Sequence, residues 1–162
     1  MSAPGFDELL RRLADAEVRF VLIGGLALNA WGVIRGTKGV DIVADPDPDP
    51  DNLGRIADVA VEAGGQVQTR DAFVSSRFSI AALLAEGERV QIDTALGALD
   101  VVQGLPGVPS YSELRSRAQE VEILGVRLAL CSLDDLRAMK RAAGRTRDLA
   151  DLEDLGEAHG EE

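Results

Sequence analysis

Residues 20–32 read FVLIGGLALNAWG, and residues 35–43 read RGTKGVDIV. The first stretch begins in an apolar run, Val18–Ile23, that suits a buried strand. Gly24-Gly25 interrupts it as a tight turn, and Leu26–Trp31 continues with the spacing of a short helix. Glycine lets backbone amides approach a ligand closely, and a helix N-terminus favours an anion. Many strand–helix turns contain Gly-Gly for packing alone, so this pair by itself points only weakly to a bound triphosphate. The second stretch sets Asp41 inside another apolar strand, Val40–Ala44. A buried carboxylate is costly without a partner or a metal. A salt bridge to Arg35 or a bound cation would each satisfy it.

Working outward, Phe6–Ala16 reads as an amphipathic helix with Phe6, Leu9, Leu10 and Leu13 on one face. Residues 45–51, DPDPDPD, form a solvated loop that alternating proline keeps from becoming helix. Asp49 is expected to cap the next helix, Asn52–Ala63, with Pro50 at its first position and Gly64-Gly65 at its end. Phe78–Leu84 and Val90–Ala95 read as a hairpin turning at Glu86-Gly87-Glu88. Tyr111–Ala118 reads as helix, and Val121–Leu124 with Val126–Leu130 as a second hairpin. Ser132 caps a helix from Leu133 to Ala143, with Asp135 placed as in a capping box, and Gly144 ends it. A last helix runs from Thr146 to Ala158, and the tail 159–162 is expected to fray. The whole implies one α/β (α+β) domain over residues 1–162, a mixed sheet flanked by helices, with a helical hairpin at about 132–158.

Two further stretches carry chemistry. Residues 90–96, VQIDTAL, place Asp93 in an apolar strand. If Asp41 and Asp93 lie on adjacent strands beside the diglycine turn, they form a candidate magnesium site, since magnesium takes carboxylate and phosphate oxygens. Residues 133–155, LDDLRAMKRAAGRTRDLADLEDL, bring Lys140, Arg145 and Asp148 to a helix–helix corner, where they suit the phosphates and base of a nucleotide. The plainer reading is a helical hairpin with surface ion pairs such as Arg147 with Asp151. From Leu136 to Arg147 there are five basic residues and no acid, in a chain of net charge −11. Of 17 basic residues only Lys38 and Lys140 are lysine.

Taken in order, these segments resemble the nucleotidyltransferase-fold proteins of the AbiEii-like abortive-infection toxin group. That group carries a strand, Gly-Gly and a small helix, then R-x-T-x-D-x-D, a third acid on a later strand, and a C-terminal K-x4-R-x-x-D-x-x-D helix pair. The matching residues are Gly24, Gly25, Ala27 and Leu28; Arg35, Thr37 and Asp41; Asp93; and Lys140, Arg145, Asp148 and Asp151, spanning roughly residues 18–155. The resemblance implies magnesium held by Asp41 and Asp93, and catalytic roles for these two with Lys140 and Asp148. It implies a nucleoside triphosphate against Gly24, Gly25, Arg35, Thr37, Lys140 and Arg145. It also implies transfer of a nucleotide to an acceptor, transfer RNA or another RNA or a protein side chain, and a cognate antitoxin protein. One expected carboxylate is replaced by Gly39. Positions 39 and 41 share a strand face, so a metal ligand is lost. The sequence leaves open a non-catalytic nucleotide- or protein-binding relative and an inactivating substitution.

Composition excludes other classes. At 46% hydrophobic and 28% charged, the 162 residues suit a folded domain with a core. No apolar run approaches the roughly 20 residues of a membrane span, and residues 1–12 lack the pattern of a signal peptide. One cysteine, Cys131, excludes an internal disulfide or a cysteine-based zinc cluster. A reducing cytoplasm is the expected location. Cys131 and Trp31 read as core residues, and His159, the only histidine, sits in the acidic tail away from any catalytic pattern.

Overall fold

The computed structural model describes residues 5–48 and 51–160. In chain order the elements are α1 (Phe6–Asp15), β1 (Phe20–Ile23), α2 (Gly24–Ala30), β2 (Gly39–Ala44), α3 (Asn52–Glu62), β3 (Val67–Gln68), β4 (Phe73–Val74) and α4 (Arg77–Glu86). Then come β5 (Glu88–Thr94), β6 (Gly97–Gln103), α5 (Tyr111–Arg117), β7 (Gln119–Ile123), β8 (Val126–Leu130), α6 (Leu133–Ala143) and α7 (Thr146–His159). Six strands form one mixed sheet in the order β5-β6-β2-β1-β8-β7, and β3 pairs with β4 beside it. The architecture is therefore mixed α+β, a mixed sheet flanked by helices, with a helical hairpin at its C-terminal end.

Strand alternation divides the sheet into two faces. Val40, Ile42, Leu99, Val101, Val90 and Ile92 point to one side and are buried. On that side α3 packs against both α1 and α4. Leu9, Leu10 and Leu13 of α1 are fully buried there, each worth about 2 kcal/mol relative to an exposed position. The other side carries Gly39, Asp41, Ala98, Asp100 and Gln91, and its helices α2, α6 and α7 are linked through contacts of α6 with each of the others. The polar residues on this second face mark where the core ends and a site begins.

Several local expectations change. Phe78–Leu84 is helix α4, not a strand. Ser76 caps it by accepting the Ser79 amide at 3.1 Å, and only Ile80 and Leu84, one turn apart, are buried. The hairpin at this point is β5–β6, turning through Ala95-Leu96. Gly24-Gly25 is not a separate turn but the start of α2. Asp49 and Pro50 lie outside the described residues. Asp51 caps α3 by accepting the Gly54 amide at 3.1 Å. Ser132 accepts the Asp135 amide at 3.0 Å as expected, but the Asp135 carboxylate is taken up by Arg117 at 2.9 and 3.0 Å, so the capping box is half made. His159 does not fray: it ends α7, its ring nitrogen bonds the Trp31 carbonyl, and it meets the Trp31 ring edge-on. Residues 161–162 of the same tail lie outside the described residues. No helix among the described residues is long and apolar enough to cross a membrane.

Candidate functional site

The site forms where β1 gives way to α2. In the antiparallel β1–β2 pair, Ile23 stands opposite Asp41, so the chain leaving β1 passes directly over the Asp41 side chain. Gly24 has φ +72°, and a Cβ there would overlap the Asp41 carboxyl. Glycine is thus required twice over, by conformation and by contact. The Gly25 amide donates a hydrogen bond to the Asp41 carboxylate. Thr37 donates its hydroxyl to the Gly39 carbonyl at 3.0 Å, tying the approach to β2 into a fixed turn.

The partner of Asp41 is Asp100. In the parallel β2–β6 pair the two stand directly opposite, and Gln91 of β5 continues the same row. Burial, a hydrogen bond with Asp100 and the Asp100 charge push the Asp41 carboxyl up to about 7. The Arg89 charge and the Gly25 amide pull the other way without prevailing. Asp100 Oδ1 is buried and has no hydrogen-bond partner. Two neighbouring carboxylates with an unsatisfied buried oxygen are an expensive arrangement without a counter-charge. The donor set, hard oxygens only, fits a magnesium-like cation.

Asp93 stands apart from this pair. It lies on β5, two strands from Asp41 with β6 between them, so the lateral separation alone is about 10 Å. Its register partners are Ala98 and, beyond it, Gly39. Gln91 donates Nε2 to its carboxylate at 2.9 Å. It lines a separate depression of about 570 Å³ between β3, β5 and the end of α4. The expected convergence of Asp41 with Asp93 is therefore replaced by convergence of Asp41 with Asp100. Sequence reasoning missed Asp100 because Gly97–Gln103 was not read as a strand. The usable signal was Leu99-Asp100-Val101, an acid between two apolar residues, as at Asp41.

Across a cavity of about 730 Å³ from the two carboxylates lie the residues of the α6–α7 corner. Lys140 Nζ sits 2.8 Å from Asp151 Oδ2 and 3.5 Å from Asp148 Oδ1. The Arg145 guanidinium donates to both Asp148 oxygens, at 2.6 and 3.3 Å, and its backbone amide donates at 3.1 Å. Arg35 reaches from the α2–β2 loop to the Asp151 carboxylate. The plainer alternatives, an Arg35–Asp41 pair and an Arg147–Asp151 pair, are not the contacts formed; Arg35 and Lys140 share Asp151. Asp148 and Asp151 are each 1% exposed. Burial by itself would raise Asp148, but the Arg145 hydrogen bonds and the charges of Arg145 and Lys140 outweigh it and hold the carboxyl below its ordinary range. Burial lowers Lys140 against the pull of Asp148. The two aspartates therefore fix three cations at one wall of the cavity, and Arg145 also feels the Asp41 charge.

Six cationic side chains and four carboxylates line this cavity, an excess of positive charge in a chain of net charge −11. Arg137, from the same basic stretch, does not take part: it is buried and donates to the Gly160 carbonyl at 2.6 Å. Cys131 is buried, its thiol pushed up to about 12 by burial, and its carbonyl accepts the Trp31 indole at 2.9 Å. Cys131 is a core residue, as the sequence suggested, while Trp31 is only partly buried against the core. The chain matches no known family model and no curated protein, so its own geometry carries the functional argument.

Proposed function

We propose that the chain is a nucleotidyltransferase-like protein that binds a nucleoside triphosphate with magnesium and transfers the nucleotide slowly, if an RNA or protein acceptor is present, because Gly39 supplies no carboxylate. The observation that supports this is the opposition, across one cavity, of the Asp41–Asp100 pair and the Lys140–Arg145–Arg35 cluster. A polyanion bridged to the acids by a divalent cation would satisfy both walls. Asp41 and Asp100 would hold the cation, which when bound neutralises charge developing on a transferred phosphoryl group. Lys140 and Arg145, oriented by Asp148 and Asp151, would neutralise the remaining phosphate oxygens. Arg35 and Thr37 fix the loop between them.

A second reading, a module that binds nucleotide without chemistry, is favoured by one observation: the backbone of Ala98 occupies the space a side chain at position 39 would need. One experiment separates the two. The protein is incubated with each labelled nucleoside triphosphate, magnesium and total RNA or protein. Magnesium-dependent binding with weak labelling of an acceptor supports slow transfer, and binding without any labelling supports the module. Absence of nucleotide binding for all four triphosphates contradicts both.

A further inference from the structure

The close approach of β2 to β6 at Gly39 limits what the Asp41–Asp100 pair can hold. Gly39 stands opposite Ala98, and a Cβ at 39 would lie 2.5 Å from the Ala98 carbonyl oxygen and 3.0 Å from its Cβ. A strand carbonyl cannot move aside as a flexible side chain can, so the position is closed to a side chain. The other acids cannot substitute for a ligand there. Of the four carboxylates lining the cavity, Asp148 and Asp151 are committed to Lys140, Arg145 and Arg35. Asp93, on the row of Gly39, is held by Gln91 at 2.9 Å and lines the other depression. Only Asp41 and Asp100 remain, with Asp100 Oδ1 unpartnered.

From this, and resting on the reading proposed above, we infer that the site holds a single divalent cation, and that Gly39 is a packing requirement of the β2–β6 pair rather than a lost ligand that an aspartate would restore. Magnesium prefers six oxygen ligands. Two carboxylates leave most of its coordination to phosphate oxygens and water, so the cation and the triphosphate bind as a unit.

Equilibrium dialysis of the full chain with manganese(II) and inorganic tripolyphosphate, followed by metal analysis, tests this. One manganese per chain is expected, and none in Asp100→Asn. Two per chain would overturn the inference while leaving the triphosphate reading intact. No bound manganese and no bound tripolyphosphate would overturn that reading itself. Thermal melting of Gly39→Ala provides a second arm, with a midpoint about 5 °C below the parent expected from overpacking. A Gly39→Asp chain that melts like the parent and binds two manganese ions would contradict the steric argument.

Discussion

Individual residues in this fold are tuned by what they touch more than by where they fall in a motif. Asp41 and Asp93 look alike in sequence, each an acid inside an apolar strand. Yet Asp41 faces Asp100 under the start of α2, and Asp93 is exposed on the outermost strand with Gln91 as its partner. Gly24 and Gly39 are both necessary glycines, one for the Asp41 carboxyl and one for the Ala98 carbonyl. Cys131 shows the same dependence on surroundings. Burial pushes its thiol from the ordinary 9.0 up to about 12, so very little thiolate is present in the folded state near neutral pH. Native protein at about pH 8 is therefore expected to resist a thiol-directed reagent for hours. The same reagent should modify it at once in denaturant. Rapid modification of native protein, followed by mass spectrometry, would show that Cys131 is accessible.

At the scale of elements, the sequence disclosed the parts whose pattern is long and closed by punctuation. α1 is legible from the helical spacing of its apolar residues alone, while α3, α6 and α7 add a cap or a terminal glycine, and all four begin and end within a residue or two of the expected limits. β7–β8 was legible because Gly125 sits between two alternating runs. The apolar run 78–84 misled because a short apolar segment fits a buried strand and a helix equally, and its alanines and the Ser76 cap were the deciding helical signals. That single error displaced the hairpin, hid β6, and with it Asp100. The α6–α7 corner was read correctly as a cluster of Lys140, Arg145 and Asp148, but its pairing was not, because Asp151 is reached by Arg35 from 116 residues away. That corner makes a prediction. Asp151→Ala leaves Arg35 without its buried carboxylate and Lys140 with only Asp148, 3.5 Å away, and should cost about 3 kcal/mol of stability. Tripolyphosphate should partly restore it by supplying anionic oxygens to the same cations. A denaturant midpoint equal to the parent's would show that Asp151 does not hold this corner.

For the whole molecule, the charge distribution matters more than its sum. A chain of net charge −11 repels a nucleic-acid backbone over most of its surface. Yet one cavity of about 730 Å³ is lined by six cationic side chains against four carboxylates. The molecule is therefore expected to bind tripolyphosphate with magnesium at physiological salt, while duplex DNA shows no binding up to about 100 µM, near the range of ordinary non-specific binders. A filter-binding titration comparing the two checks this, and micromolar duplex binding would mean that an extended cationic surface exists outside the cavity.

On the proposed reading, Asp41 holds the cation together with Asp100 and not with Asp93. Calorimetric titration of magnesium–ATP into the parent, Asp100→Asn and Asp93→Asn tests it most directly. Asp100→Asn is expected to lose at least about tenfold in affinity, about 1.4 kcal/mol, while Asp93→Asn binds like the parent. Loss of binding in Asp93→Asn with Asp100→Asn unaffected would contradict it.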